Sequence, residues 1–364
     1  MATIVFGARN AVTVLAATTS CSAAAKQHSA AKNHRTPPYF VLTQNKPPHL
    51  SRAGHSRSAF SLIELSITLA IIGLLAPSVL TAPQAARESA TRTSGQSNLH
   101  QIAVALSLHE DVHGTFPASG DEQGFSFHVA LLPFAEQTSL LQRITREMEF
   151  GLDQPPSWLS TVPMFCCPSD AGIEIKGFSS DSSHSGQTYV APGHSYHGNF
   201  GTGVQKFGHN GIFRPRSAGP AVSHGMVTDG LSHTAAVSEA LVGDGSQDPV
   251  RNLYATKVGL GAPSELDLFA ASCVDPSSWE LPGDPLRRGR SWTDGNPAST
   301  LYNHVITPNN AACTNAGFVQ IGAYPPSSNH GGMVNLLYAD GHVTTVSDGI
   351  GITAWRALGS RDGD

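Results

Sequence analysis

The stretch from Phe60 to Leu80 constrains this chain more than any other part of its sequence. Twelve of its twenty-one residues are Phe, Leu, Ile or Val, and its one charged residue is Glu64. A helix of this length, at about 1.5 Å per residue, spans roughly the hydrocarbon core of a bilayer. Its apolar side chains favour insertion by about 4 to 7 kcal/mol, which outweighs roughly 3 kcal/mol for a carboxylate away from the bilayer centre. We therefore expect a membrane-spanning helix at residues 60–80, with the lipid bilayer as a partner.

Charge is distributed unequally on the two sides of this stretch. Residues 1–59 contain seven Lys or Arg and no Asp or Glu, whereas the remaining residues contain fifteen basic and twenty-seven acidic side chains. Basic residues that flank a span stay in the cytoplasm, so Lys46, Arg52 and Arg57 predict a leader inside and a body outside. The expected location is the inner, cytoplasmic membrane, crossed once. An acidic body argues against a nucleic-acid partner, because phosphate binding needs clustered Lys and Arg.

Segments on both sides of the span have distinct compositions. Residues 1–59 mix Ala-rich and Pro/His/Ser-rich segments without a sustained period, which is typical of a leader that is cleaved or disordered. In residues 81–113, Leu99, Ile102 and Leu106 recur at helical spacing, which predicts an amphipathic helix packed on a globular head.

The remaining residues, 114–364, change character. Short β-prone runs alternate there with Gly, Pro, Asn and Ser clusters, and several Asp-Gly pairs favour tight turns. Pro77 and Pro83 predict a kink or a break between the two helices. We expect an α+β fold, with a long N-terminal membrane-spanning helix followed by a loop-rich antiparallel β head.

Four of the five cysteines fall in the body: Cys166, Cys167, Cys273 and Cys313. No C-x-x-C spacing indicates a structural zinc site. In an exported body, one disulfide among these four is expected, and the spacing leaves the pairing open. The adjacent Cys166 and Cys167 are not expected to bridge each other. No cofactor is expected.

The junction between leader and span resembles the processing signature of type IV prepilins and type II secretion pseudopilins. A basic segment and a small residue, Ala59, precede Phe60, and Glu64 follows at the start of the apolar helix. The resemblance implies that a prepilin peptidase cuts between Ala59 and Phe60 and that the new amino terminus is methylated. It also implies that Glu64 neutralises the terminal amine of a like subunit, which would make a carboxylate in the membrane tolerable. The family usually has Gly where this chain has Ala59, and an uncleaved signal anchor is the alternative.

Blocks further along the chain are similar to a large bacterial pilin-like family, domain of unknown function 1559. "FCCPSD" at 165–170, "VTDGLSHTAAVSE" at 227–239 and "SSNHGGMVNLLYADGHVTTVSDGI" at 327–350 occur in the order of that family. The last block carries the family signature H-x9-D-G, here His330, Asp340 and Gly341. The resemblance covers residues 56–358. One departure is Gly95, where many members have Cys.

The residues of the signature block also predict a local structure, independently of the family resemblance. Met333–Tyr338 and His342–Val346 predict two strands of a β-hairpin, joined by a turn at Asp340 and Gly341. Asp340 is therefore expected to form the turn rather than to act as a catalyst. His330 precedes the hairpin among Ser, Asn and Gly, where it can bond a backbone group or bind a ligand.

A competing signal is "HEDVH", residues 109–113, which fits H-E-x-x-H. In that motif two histidines, here His109 and His113, bind zinc, and the glutamate, here Glu110, acts as general base. Gly114 and Pro117 end the helix immediately, and no further histidine follows at the metzincin spacing. We therefore expect no metal site there and no enzyme.

These observations predict a prepilin-like, membrane-anchored structural subunit of a secretion or surface apparatus. Its expected partners are the prepilin peptidase, like subunits through the N-terminal helix, and the bilayer. The alternative is a membrane-anchored module that binds a solute or a glycan outside the cytoplasm. A zinc protease that uses HEDVH is the third hypothesis.

Overall fold

The computed structural model describes residues 61–150, 157–170, 174–179, 188–204, 209–260, 262–280, 288–315 and 318–363. The chain divides into two compact units, Met1–Ala82 and Pro83–Asp364. The described residues form an α+β fold with mixed sheets. Ala59 and Phe60, at the predicted cleavage site, lie outside the described residues.

The described helices and strands follow one another along the chain without a regular alternation. The α-helices are α1 (Leu62–His113), α2 (Phe127–Leu131), α3 (Thr138–Phe150), α4 (Leu266–Val274), α5 (Pro297–Thr300) and α6 (Ile352–Gly359). The strands are β1 (Glu174–Ser179), β2 (Thr188–Pro192), β3 (Tyr196–Asn199), β4 (Ala235–Glu239), β5 (Leu253–Thr256), β6 (Trp279–Glu280), β7 (Leu301–Tyr302), β8 (Ala312–Asn315), β9 (Phe318–Ala323), β10 (Met333–Tyr338) and β11 (Val343–Ser347). Short 3-10 helices lie at Leu132–Ala135, Ser157–Leu159, Pro163–Phe165, Arg216–Ala218, His224–Met226, Pro263–Glu265 and Pro276–Ser278.

Ser61 and Glu64 cap the first turn of α1. The Ser61 hydroxyl accepts a hydrogen bond from the backbone N–H of Ile63 at 3.3 Å, and Glu64 Oε2 accepts one from the backbone N–H of Ser61 at 3.1 Å. This reciprocal pair is a capping box, which satisfies donors that a helix start leaves without an intrahelical partner. Glu64 therefore has a local function in its own helix, whatever it contacts in an assembly.

The first part of α1 exposes apolar side chains on every face. Their exposed fractions run from 50% to 84%, and the set is Leu62, Ile63, Leu65, Ile67, Leu69, Ile71 and Ile72. Within the part of the chain that the structure describes, no helix has the length and hydropathy that crossing a membrane requires. The side chains of residues 74–85, in the second half of the expected span, lie outside the described ones.

Two prolines lie within α1 without ending it. The helical backbone continues from Leu62 to His113, so the chain does not leave the helix at Pro77 or Pro83. A proline removes one hydrogen bond of the helical ladder, and the neighbouring turns can keep the remaining bonds. Of the expected kink or break, a break in the helical backbone is not seen at either proline, and a kink stays a prediction.

The C-terminal part of α1 forms one wall of the core of the Pro83–Asp364 unit. Leu99, Ile102 and Leu106 are buried there, whereas Leu108 on another face is 43% exposed. The helix ends where Gly114 adopts a positive φ of 71° and donates its N–H to Glu110 O at 2.7 Å. A left-handed glycine in this position is a common helix terminus.

The described residues of the head form three sheets. The largest has the strand order β11-β10-β4-β3-β7, the second has the order β6-β5-β8-β9, and β1 pairs with β2. Most pairs are antiparallel, but β3 pairs with β7 and β5 pairs with β8 in parallel. The sheets are thus mixed, which differs from the antiparallel head expected from sequence. Parallel pairing needs a long crossover connection, and the chain between β3 and β7 supplies one by including β4, β5 and α4.

The expected C-terminal hairpin is formed by β10 and β11, with Met333 opposite Ser347. Gly341 has a φ of 93°, and Asp340 Oδ1 accepts a hydrogen bond from the backbone N–H of His342 at 3.1 Å. Glycine tolerates the positive φ that such a turn needs, and an aspartate side chain stabilises the turn by bonding backbone two residues later. The geometry confirms Asp340 as a turn former.

One disulfide joins Cys273 of α4 to Cys313 of β8. Both residues lie in a second, smaller core that also contains Phe269 and Val305. The bond fixes α4 against the parallel pair β5–β8. Cys166 and Cys167 are buried and lie outside this disulfide.

Candidate functional site

Three buried side chains from separate parts of the chain meet beneath the C-terminal part of α1: Cys167, Glu239 and His330. Cys167 Sγ lies 3.7 Å from Glu239 Oε1 and 3.9 Å from His330 Nε2. His330 Nε2 lies 3.6 Å from Glu239 Oε1. No residue of the three is more than 3% exposed. We call this group the Cys-Glu-His cluster.

Local structure sets the direction of each side chain. Cys167 follows the 3-10 helix at Pro163–Phe165, and its carbonyl accepts a hydrogen bond from the backbone N–H of Asp170 at 3.0 Å. Glu239 is the last residue of β4, a strand held between β3 and β10. His330 precedes β10, and its backbone N–H donates to the Ser328 hydroxyl at 2.9 Å.

The carboxylate of Glu239 is held by a neighbouring strand. Asn335 of β10 donates its side-chain amide to Glu239 Oε1 at 2.9 Å and its backbone N–H to Oε2 at 3.0 Å. A buried carboxylate without donors would cost several kcal/mol, so these two bonds make the burial of Glu239 tolerable.

Helix α1 completes the cluster from the other side. Glu88 Oε1 lies 2.7 Å from His330 Nδ1, and Arg92 Nη2 donates to the His330 carbonyl at 3.3 Å. The Ser169 hydroxyl lies 3.2 Å from His330 Nε2 and 3.1 Å from Cys167 Sγ. Because Glu88 can only accept, Nδ1 carries a proton and Nε2 faces Cys167 and Glu239.

The surroundings of His330 favour its charged form. Hydrogen bonds that the protonated imidazole donates to Cys167 and then to Glu239 raise the pKa of His330 to about 10, burial opposes them, and Glu88 raises the pKa further. A protonated imidazole between the buried carboxylate of Glu239 and the partly exposed carboxylate of Glu88 compensates the buried charge of Glu239. The cluster therefore clamps α1 to the head by an ion pair as well as by packing.

Gly95 of α1 faces the cluster directly. A Cβ atom at this position would lie 3.0 Å from Glu239 Oε1 and 3.6 Å from Cys167 Sγ. This is the position at which the family resemblance led us to expect Cys. A side chain there would enter the Cys-Glu-His cluster, so the glycine leaves room for the carboxylate.

The structure separates the residues of the H-x9-D-G signature. His330 belongs to the Cys-Glu-His cluster, whereas Asp340 and Gly341 form the hairpin turn. Sequence reasoning did not assign Cys167, Glu239 or Glu88 to a site. The sequence does contain a signal for two of these residues. Cys167 lies in "FCCPSD" and Glu239 ends "VTDGLSHTAAVSE", and both segments are among the family blocks quoted above.

The HEDVH residues are engaged in other ways. The rings of His109 and His113 lie 4.4 Å apart, and His109 Nδ1 lies 3.0 Å from Thr115 O. Glu110 Oε1 lies 2.6 Å from His224 Nε2 and forms an ion pair when that imidazole is protonated. Burial lowers the pKa of His109 and raises that of Glu110. Among the described residues, the Cys-Glu-His cluster gathers metal-ligating atoms within 4.8 Å of one another, and the HEDVH residues do not.

An open cavity of about 930 Å³ lies beside HEDVH. Its lining combines apolar and polar side chains, among them His109, His113, Asp121, Phe125, Phe134 and Arg216. A concave surface with a few polar groups among aromatic ones is typical of small-molecule sites.

Comparison with known proteins places most of the chain in one family. The sequence model of a family described as "Protein of unknown function (DUF1559)" matches residues 84–353. No curated protein and no solved structure matches the chain. The match begins after the apolar stretch, so the prepilin-like signature lies outside the matched residues.

Proposed function

Since the chain belongs to the DUF1559 family, whose function is unknown, we propose that it is a membrane-anchored, pilin-like structural subunit of a secretion or surface apparatus. Its leader, residues 1–59, lies in the cytoplasm, and its head lies outside. A prepilin peptidase removes the leader before Phe60, and the mature subunits associate through the N-terminal part of α1.

The observation that carries this proposal is the exposed apolar start of α1. Seven Leu and Ile side chains between Leu62 and Ile72 are at least half exposed, and Glu64, Ser66 and Thr68 are the polar residues among them. Such a surface marks an interaction with lipid or with other apolar helices. A helix that is apolar over most of its circumference is a membrane span or lies in a bundle, and pilin-like assembly supplies both environments.

Two further features support export and assembly. The Cys273–Cys313 disulfide is typical of proteins that fold outside the reducing cytoplasm. Glu64 follows Phe60 by four residues in the sequence, and the new amine of Phe60 would carry a positive charge after cleavage. A buried carboxylate is tolerated when a cation reaches it, and the amine of a neighbouring copy would be that cation.

The first experiment is mass spectrometry of the protein isolated from its native membranes. The proposal predicts a mature chain that begins at an N-methylated Phe60. A mature protein that retains residues 1–59 would contradict processing by a prepilin peptidase.

The second experiment separates the two functions of Glu64. Glu64→Gln keeps a side chain that can complete the capping box, whereas Glu64→Ala removes both the cap and the charge. If charge pairing with an adjacent amine drives assembly, both variants insert into membranes but fail to form cross-linked ladders with wild-type subunits. Ladders of normal length from Glu64→Gln would refute the charge-pair role and leave helix capping as the function of Glu64.

A membrane-anchored binding module is the second candidate, because the cavity of about 930 Å³ offers a site for a solute or glycan. Arg216 and Asp121 line it, and either could bond sugar hydroxyls or a charged solute. A glycan array probed with the purified protein and with Phe134→Ala tests this function. Specific binding that the variant loses, together with absent ladders, would favour the module over the fibre subunit.

A further inference from the structure

We propose that Cys167, Glu239 and His330 bind a divalent transition-metal ion, with Zn²⁺ as the best match to their chemistry. The ion would be bound in the head, under the C-terminal part of α1. This inference does not depend on membrane insertion or polymerisation, and its experiments measure neither.

The spacing of the three ligand atoms fits one small ion. The sides of the triangle formed by Cys167 Sγ, Glu239 Oε1 and His330 Nε2 measure 3.6, 3.7 and 3.9 Å. A point equidistant from three such atoms lies about 2.2 Å from each, and Zn²⁺ binds nitrogen, oxygen and sulfur at about 2.0–2.3 Å. An ion can therefore be placed without moving the backbone.

The ligand types select the class of metal. A thiolate and an imidazole favour zinc and similar borderline ions, whereas Mg²⁺ and Ca²⁺ require oxygen ligands throughout. A thiolate on Cys167 and the carboxylate of Glu239 together balance the charge of a divalent cation, with neutral His330 as the third ligand. Charge balance matters here because the three side chains are buried.

The groups around the three ligands form an outer shell of the kind that metal sites have. Glu88 accepts the proton of His330 Nδ1 at 2.7 Å, which orients the ring so that Nε2 faces the triangle. Two donors of Asn335 hold the Glu239 carboxylate at 2.9 and 3.0 Å. A carboxylate behind the histidine and a fixed carboxylate ligand are recurrent features that raise metal affinity.

Ser169 closes a further side of the site. Its hydroxyl lies 3.1 Å from Cys167 Sγ, within reach of a hydrogen bond to a coordinated thiolate. With three protein ligands and this hydroxyl nearby, the fourth position would be filled by a water molecule or by the serine itself. The three ligands lie far apart in sequence, so the ion would join the Cys167 loop, the end of β4 and the segment before β10. It would reach α1 only through the contact of Glu88 with His330.

The competing explanation is an ion pair without a metal, in which the protonated imidazole of His330 bridges the carboxylates of Glu88 and Glu239. The two explanations differ over Cys167. In the ion pair, Cys167 only accepts a hydrogen bond from His330, which a serine hydroxyl can also accept, so Cys167→Ser would be nearly silent. A metal site loses a ligand with the same change.

The test uses the purified full-length protein, stripped with a chelator and then titrated with Zn²⁺. We expect one ion per chain by elemental analysis and a higher unfolding temperature in its presence. Co²⁺ in the same site should give a sulfur-to-metal charge-transfer band. Cys167→Ser should lose the band and at least about tenfold in Zn²⁺ affinity, and Glu88→Gln should lose about tenfold.

Matched controls are Cys166→Ser, which removes the adjacent thiol, and His109→Gln, which disrupts HEDVH. Both should bind Zn²⁺ as the wild type does. Equal loss in Cys166→Ser, loss confined to His109→Gln, or no stoichiometric Zn²⁺ in the wild type would overturn the proposal.

Protection of the wild-type thiol gives a readout that needs no variant. Zn²⁺ should slow alkylation of Cys167, located by peptide mass spectrometry, by about tenfold more than alkylation of Cys166, which shares only the general stabilisation of the head. Unchanged alkylation of Cys167 at saturating Zn²⁺ would refute the site, even if Cys167→Ser fails to fold.

Discussion

At the scale of single residues, the buried histidines divide into two kinds. His330 lies among carboxylates that favour its charge, whereas the ring nitrogens of His128 and His304 contact carbonyl and hydroxyl oxygens of the described residues. His304 Nδ1 donates to Trp355 O at 2.7 Å, and the two rings stack at 3.9 Å. His128 Nε2 lies 2.9 Å from Tyr196 O. Burial lowers the pKa of both His128 and His304 to about 3, so both are neutral in the folded head.

These two neutral histidines make the head sensitive to acid. The unfolded chain titrates them near the ordinary value of about 6.5, so their contribution is complete above that pH and is lost as pH falls towards 3. Each costs about 1.4 kcal/mol of stability per pH unit within this window. We expect a lower urea midpoint at pH 5 than at pH 7. His304→Gln should reduce this difference in stability by about the contribution of one histidine.

The exposed His233 provides the control for this experiment. His233→Gln should leave the difference between the two urea midpoints as in the wild type. If His304→Gln and His233→Gln change the pH dependence equally, burial of His304 is not the cause.

At the scale of elements, α1 presents one face to the head and other faces to its surroundings. Leu99 is fully buried in the main core, while Leu108, nine residues later in the same helix, remains 43% exposed. The helical repeat places these residues in different environments although their side chains are identical. A pair of equal substitutions can therefore measure how strongly the helix is held by packing.

We predict that Leu99→Ala lowers the free energy of unfolding by about 2 to 5 kcal/mol, because it removes buried methyl groups and leaves a cavity. Leu108→Ala should change it by less than about 1 kcal/mol. Chemical denaturation followed by circular dichroism measures both. Similar losses from the two variants would show that α1 does not pack on the head through the Leu99 face.

Local signals made some elements predictable. The C-terminal hairpin follows from Asp340, Gly341 and the β-prone runs beside them, all within twenty residues, and the buried face of α1 follows from the spacing of Leu99 and Ile102. The parallel pairs were not predictable in this way. β3 meets β7 about a hundred residues later, and no local pattern specifies that partner.

At the scale of the whole molecule, the Cys273–Cys313 disulfide restricts the unfolded chain more than it adds contacts. Its ends are 40 residues apart in sequence. We predict that the double variant Cys273→Ala/Cys313→Ala loses about 2 to 4 kcal/mol of stability, because the unfolded chain regains conformational freedom. Unfolding with and without a thiol reductant measures the loss: the wild type should become less stable on reduction, and the double variant should not respond. If the reductant destabilised the double variant as much as the wild type, the effect would come from a target other than the Cys273–Cys313 disulfide.

The candidate site also belongs to this scale, and this explains why the sequence predicted only part of it. His330 was noticed because it opens the family signature. Glu88, Cys167 and Glu239 come from a helix, a loop and a strand end, and only the folded core brings them within hydrogen-bonding distance. Periodicity and turn chemistry describe residues that are close in sequence, so they do not predict that these distant residues come into contact.

The described sulfur atoms of the head divide into a crosslinked pair, Cys273 and Cys313, and two enclosed thiols, Cys166 and Cys167. Under the proposed export of the head, oxidation has to join the first pair while the second pair stays reduced. A thiol enclosed in the folded core is inert because oxidants do not reach it. Folding of the core before or during oxidation would therefore select the correct pairing.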